Sequence, residues 1–264
     1  MGKRLVYIDQ LKGLAILLVV IGHVLQFCIE DSEASWLYKA IVTFHMPLFA
    51  FLSGLMFSAK YDVVEMAKKL SAQSQKLLLP FFSFGIIYAY TIRMGEQFLQ
   101  HPFKLGLWYL LFLWQCYLIT HSYNVVIYRL GIQRNHKLSV MVDIVWLAFT
   151  FLVFKLLYGH LVSDGKDILG IIHLYKLYPF FFVGYVIKRY QLFEAWFSSE
   201  RRIYADISFI VWIVLLLVSL FYYSSFLLMM ILGAFAVYPI VMLFYLNGGG
   251  KFSVEKNFRN VRTI

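Results

Sequence analysis

A chain of 264 residues that is 61% hydrophobic and only 14% charged, with mean hydropathy +0.73, carries too little polar surface for a water-soluble domain. The formal net charge of +10 would suit nucleic acid, but the basic residues sit in short gaps between apolar runs and no nucleic-acid motif accompanies them. Cys28 and Cys116 fall in different apolar segments without metal-ligand spacing, which suggests neither a disulfide framework nor a zinc site.

Phe and Tyr together supply 45 residues, a composition suited to the membrane–water boundary. A membrane helix needs about 20 mostly apolar residues. On that ruler the chain offers eight spans, near 11–29, 38–58, 77–94, 105–120, 139–157, 174–188, 203–222 and 226–246. The run beginning near Leu11 is too long for a cleavable signal, lacks a small-residue cleavage site, and reads as the first span. Lys3, Arg4 and Lys12 precede it; Lys60, Lys68, Lys69 and Lys76 follow the second span. Arg129, Arg134 and Lys137 follow the fourth, Lys188, Arg189, Arg201 and Arg202 the sixth, and Lys251, Lys256, Arg259 and Arg262 the eighth. Alternate gaps thus hold 18 of the 24 basic residues, which assigns them and both termini to the cytoplasm. The opposite gaps, "EDSEAS" (30–35) and "SDGKD" (163–167), are acidic or mixed.

The expected fold is an all-α polytopic transmembrane bundle of about eight spans. Residues 1–250 form one integral membrane domain and 251–264 a short basic cytoplasmic tail. The stretches 59–76 and 121–138 read as the longest cytoplasmic loops, and "GGG" at 248–250 as a helix terminator.

An ionisable residue inside a span is costly and is a functional-site hypothesis by default. His23 lies eleven residues after Lys12, a rotation of three turns plus about 20°, so the two share one helix face about 16 Å apart. Read alone, Lys12 is an orientation-setting lysine that snorkels to the interface, and Asp9 an N-cap or its local partner rather than a catalytic acid. His45 lies in "TFHMPLFAFLSGLMF", about as far below the outer boundary as His23, roughly 10 Å at 1.5 Å per residue. Two imidazoles at matched depth on neighbouring antiparallel helices point either to one polar cavity or to separate interhelical hydrogen bonds. In a cavity, neutral imidazole serves as a general base towards a hydroxyl or as a nucleophile towards an acyl group. No HxxxH, HxxE or carboxylate cluster supports a metal. His101, His121, His136, His160 and His173 read as ordinary boundary residues.

The strings "YIDQLKGLAILLVVIGH" and "FHMPLFAFLSGLMF" resemble the membrane-bound acyltransferase-3 family, in particular its fucose 4-O-acetylase-like branch. Lys12 and His23 match that family's basic residue, ten intervening positions and histidine. Phe44, His45, Pro47, Phe49, Ser53 and Gly54 match its second-helix signature. Weaker echoes are "KLLLPFF" (76–82), "LWYLLFL" (107–113) and "YPFFFVGYVI" (178–187).

The resemblance implies transfer of an acyl group, usually acetyl, from acyl-CoA to a hydroxyl of a surface carbohydrate or its lipid-linked precursor. It casts His23 and His45 as active-site residues and Lys12 and Lys76 as donor-binding cations. Acyl-CoA is the donor substrate, and neither a bound cofactor nor a metal is implied. The expected partners are the donor, the sugar and membrane lipids, without nucleic acid, and the expected location is the bacterial inner membrane. Two departures are visible. Gln73 stands where the family carries the first arginine of an Arg-x-x-Arg element ending at Lys76, and the chain ends after eight expected spans where the family has about ten. Competing readings are a glycolipid transporter lined by the histidines and a shortened, non-catalytic membrane scaffold.

Overall fold

The computed structural model describes residues 6–29, 35–93, 95, 98–162, 165–197, 201–221 and 226–247. Helices α1 (Val6–Cys28), α2 (Trp36–Met56), α3 (Val63–Thr91), α4 (Trp108–Arg129) and α5 (His136–Leu161) come first. Then follow α6 (Ile171–Arg189), the single turn α7 (Phe193–Trp196), α8 (Arg202–Phe221) and α9 (Phe226–Asn247). Among the described residues the architecture is all-helical, and each of the eight apolar runs falls on one of the eight longer helices described. Among the described residues, four segments are long and apolar enough to cross a membrane: Tyr7–Gln26, Trp36–Met56, Trp108–Arg129 and His136–Leu161. Pro47, Pro80, Pro179 and Pro239 all lie inside helices, a placement that membrane helices tolerate because neighbours re-satisfy the freed carbonyls. The expected tail 251–264, the "GGG" terminator, Lys3, Arg4 and residues 30–34 of the acidic gap lie outside the described residues.

The two expected cytoplasmic loops are largely helical. Asp62 caps α3, its Oδ2 accepting from the backbone N–H of Val64 at 2.9 Å and of Glu65 at 3.1 Å. The helix therefore starts 14 residues before the apolar run and reaches about 43 Å at 1.5 Å per residue. Helix α4 likewise runs nine residues beyond its expected end and stops before Gly131, whose φ of 66° is the left-handed conformation that glycine supplies at a helix terminus. Asn135 then caps α5 through its side chain and the Leu138 N–H.

Two compact units divide the chain. The first comprises residues 1–55 and 184–264, the second 56–183. In the first, α9 packs beside α8 and α1. Tyr7, Phe193 and Tyr245 form an aromatic triad from α1, α7 and α9, with ring centroids 5.1–5.7 Å apart. Ala40, Leu216 and Leu232 tie α2, α8 and α9 together, and Phe44 meets Trp212 edge-on. Ser208 donates to the Phe235 carbonyl at 2.8 Å, one polar tie between α8 and α9.

In the second unit α3 and α4 lie side by side, with the Trp114 indole N–H donating to Ser74 Oγ at 2.8 Å. Helices α4, α5 and the 171–183 part of α6 share a buried polar network. Trp146 donates to the Tyr178 hydroxyl at 3.1 Å, Thr120 lies 3.4 Å from the same hydroxyl, and the Tyr123 hydroxyl donates to Asp143 Oδ1. Burial of Phe112, Phe181 and Phe182 to 1% exposure or less fills the space around it.

Backbones approach most closely in the first unit, at Gly184. A Cβ there would collide with the Phe51 carbonyl oxygen and come within 3.0 Å of the Leu55 amide nitrogen. Neither obstacle is a movable side chain. Gly184→Ala is expected to force α2 away and cost roughly 1–3 kcal/mol or more, the range for overpacked interiors. Thermal unfolding in detergent checks this; a midpoint equal to wild type contradicts the close approach.

Candidate active site

The continuous α1 helix keeps the Lys12–His23 spacing intact over its whole length. Its packed stripe runs through Ile8, Leu11, Ala15 and Gly22. Lys12 and His23 each follow a stripe residue by one position, 100° round the helix, so they border the packed face rather than sit in it. Lys12 is half-buried and His23 exposed on the protein surface.

His45 approaches the same region from α2. Gly22 lies against the Ile41 side chain, with an ideal Cβ 3.7 Å from Cγ2. Ile41 is one turn from His45, so the contact between α1 and α2 lies within a turn of that histidine. The two helices thus bring their histidines into one neighbourhood. His45 Nδ1 lies 2.8 Å from the Ile41 carbonyl oxygen. A carbonyl only accepts, so Nδ1 carries the proton and the neutral ring presents the lone pair of Nε2. Pro47, two residues on, has no N–H and leaves the Thr43 carbonyl without its helical partner. Thr43 Oγ1 donates to Ala40 O at 2.7 Å, so this turn of α2 is held by side-chain bonds on either side of the break.

Lys76 is exposed on α3 in the second unit, two residues from Ser74, and Lys68 and Lys69 are exposed on the same helix. Gln73, in the place of the family's arginine, has a buried Oε1 without a hydrogen-bond partner among the described residues.

The structure corrects the reading of two histidines. His121 lies inside α4 at 0% exposure and His173 inside α6 at 6%; His101, His136 and His160 are exposed. His173 stacks on Trp108, ring centroids 3.8 Å apart, with Nε2 3.1 Å from the Pro102 carbonyl. Sequence reasoning misses Asp143, although a single carboxylate within an apolar run is a visible signal of the same kind as His23 and His45. It is 3% exposed and anchored by Tyr123.

A further buried cation holds the turn before α4. Lys104 and Leu105 both adopt left-handed backbone, with φ of 45° and 53°, which costs a non-glycine residue roughly 1–2 kcal/mol. The Lys104 ammonium donates to the carbonyls of His101, at 3.0 Å, and Asp167. Asp167 in turn caps α6, its carboxylate accepting from Ile171 at 2.8 Å and Ile172 at 2.9 Å. The cation thus ties the turn before α4 to the cap of α6. Burial pushes Lys104 down to about 8, with the Asp167 carboxylate opposing that shift.

A family model described as an acyltransferase domain, acyltransferase-3, matches residues 5–254. The chain therefore belongs to the acyltransferase-3 family and carries an acyltransferase domain over nearly its whole length. It is similar to the nodulation protein NolL of Mesorhizobium japonicum, 40% identical over 76 residues. That match covers 27% of this chain and 20% of the relative. The nodulation protein NolL of Sinorhizobium fredii is 37% identical over 83 residues, covering 30% and 23%. These matches span about a fifth of the relatives' length. No solved structure matches the chain. The apolar helices and the family together mark a membrane protein of the acyltransferase-3 family.

Two outcomes test these local assignments. Tyr123→Phe removes a donor from the buried Asp143 carboxyl and is expected to cost about 1–3 kcal/mol, measured by unfolding in detergent. For Lys104 the unfolded chain holds its proton to about 10.5 and the folded chain releases it near 8, so the folded state gains stability as pH rises between those values. Wild type is expected to gain on Lys104→Met as unfolding is followed from pH 7 to 10; a constant difference contradicts the shift.

Proposed function

We propose that this protein transfers an acyl group, acetyl in the simplest case, from acyl-CoA to a hydroxyl of a cell-surface polysaccharide or its lipid-linked precursor. The observation that carries the reading is the meeting of α1 and α2 at Gly22 and Ile41, which gathers His23 and His45 in one region of an acyltransferase-3 chain. The first two helix motifs favour the fucose 4-O-acetylase-like branch. The basic gaps favour a bacterial inner-membrane protein with both termini in the cytoplasm.

In this reading His23 acts as the general base. Its neutral imidazole takes the proton of the acceptor hydroxyl as the oxygen attacks the thioester carbonyl. The tetrahedral adduct collapses, the C–S bond breaks, and the imidazolium returns its proton to the departing CoA thiolate. Ester and free CoA are the products, with no net change in protonation. His45, its Nδ1–H engaged by Ile41 O, offers Nε2 to hold the acceptor. Lys12, three turns from His23 on the same helix, suits the anionic end of the donor. Lys76, exposed on α3, is a separate donor-binding candidate of the second unit.

Mass spectrometry of surface glycans tests the assignment in cells carrying wild type, His23→Ala or a gene deletion. Wild type is expected to exceed the deletion in acyl content, and His23→Ala to lose transfer by about 10²–10⁴-fold, the usual contribution of a positioned base. Equal acyl content for wild type and His23→Ala removes His23 from the chemistry. Lys12→Ala should raise KM for the donor with little change in kcat, and Lys12→Arg should restore it. A transporter would instead move glycan without altering its mass.

A further inference from the structure

His121 is 0% exposed, and neither of its ring nitrogens has a hydrogen-bond partner among the described residues. The other two histidines with extensive burial are satisfied, His45 at Ile41 O and His173 at Pro102 O. An unsatisfied buried polar group costs about 1–3 kcal/mol, and a phenylalanine or leucine would fill the same volume without that cost. The aromatic surroundings supply no partner either. The ring lies 4.5 Å from the Phe57 ring, which itself faces Tyr117 and Phe181.

The register of α3 against α4 shows what stands at this level. Ser74 bonds Trp114, and the Tyr61 ring meets Tyr128, so facing residue numbers add to 188 or 189 along the pair. His121 therefore stands at the level of Lys68 and Lys69, which lie exposed on α3. Lys69 and Lys60 are the cations whose charge reaches its ring. Lys60 is paired with Glu65 at 3.1 Å, whereas Lys68 and Lys69 have no acidic partner among the described residues. A buried donor–acceptor ring beneath unneutralised lysines suits an anion that also accepts hydrogen bonds. Phosphate has that chemistry: oxygens for the imidazole N–H and charge for the ammonium groups.

We infer that His121, with Lys69, forms a binding site for a phosphate ester within the second unit. The site stands on α3 and α4 and holds whether or not His23 is the catalytic base. The phosphate comes either from a soluble nucleotide-type molecule or from a phospholipid headgroup.

Purified full-length protein in neutral detergent, probed with adenosine 3′,5′-bisphosphate, distinguishes the soluble source. The same protein in nanodiscs of phosphatidylcholine, with and without phosphatidylglycerol, distinguishes the lipid. One of the two probes is expected to raise the unfolding midpoint, and pantetheine, which lacks phosphate, should not. His121→Phe is expected to unfold at or above the wild-type temperature without ligand while losing about tenfold or more in affinity for that probe. Lys69→Gln, an exposed change, should weaken the same probe several-fold. The inference is overturned if neither probe stabilises wild type, or if His121→Phe binds as wild type does. It is equally overturned if Lys69→Gln leaves the affinity unchanged, since a His121 that merely packs would give that result.

Discussion

Lipid offers no hydrogen bonds, so each polar group carried into the bilayer must be answered from within the protein. Nor does the hydrophobic effect draw one helix to another there, since hydrocarbon tails are as apolar as leucine. Interhelical polar ties and close packing do that work instead. The Trp146–Tyr178–Thr120 network, the Asp143–Tyr123 pair and the Trp114–Ser74 bond join α3, α4, α5 and α6. In the other unit Ser208 on the Phe235 carbonyl and the bare backbone of Gly184 against Phe51 play the same part.

The same constraint separates structural from chemical polar residues. Asp143, Tyr178 and Thr120 are buried and answered by neighbours, so their energy goes into cohesion. His45 spends one nitrogen on Ile41 and keeps the other, a division that fixes a tautomer while leaving a basic lone pair. Lys104 shows a third use. Its ammonium spans two carbonyls from distant parts of the chain, at the expense of two left-handed residues.

Most of the helical order was legible in sequence, because an apolar run of about 20 residues has few alternatives to a helix. The first two helices were clearest, where Lys12, His23 and His45 stand out from hydrocarbon. The ends of α3 and α4 were not, since hydropathy cannot register an amphipathic helix whose exposed face carries Lys68, Lys69 and Lys76. Local signals did exist. Asp62 and Glu65 have the spacing of a capping pair, and Gly131 marks a helix end. The same hydropathy boundaries place His121 and His173 in gaps. Phe57 packs on His121 and Trp108 on His173, contacts between residues far apart in sequence that no local pattern encodes.

The division of the chain sets an order of assembly. The second unit is one uninterrupted stretch, 56–183, while the first needs residues 1–55 and everything after 184. On the ribosome, α3, α4 and α5 meet their partners within the stretch just synthesised. By contrast α1 and α2, bearing His23 and His45, wait for α8 and α9, almost the length of the chain later. The histidine-bearing helices are thus made first and enclosed last. Until translation reaches α9, their polar side chains depend on lipid headgroups, on each other, or on the insertion machinery for company.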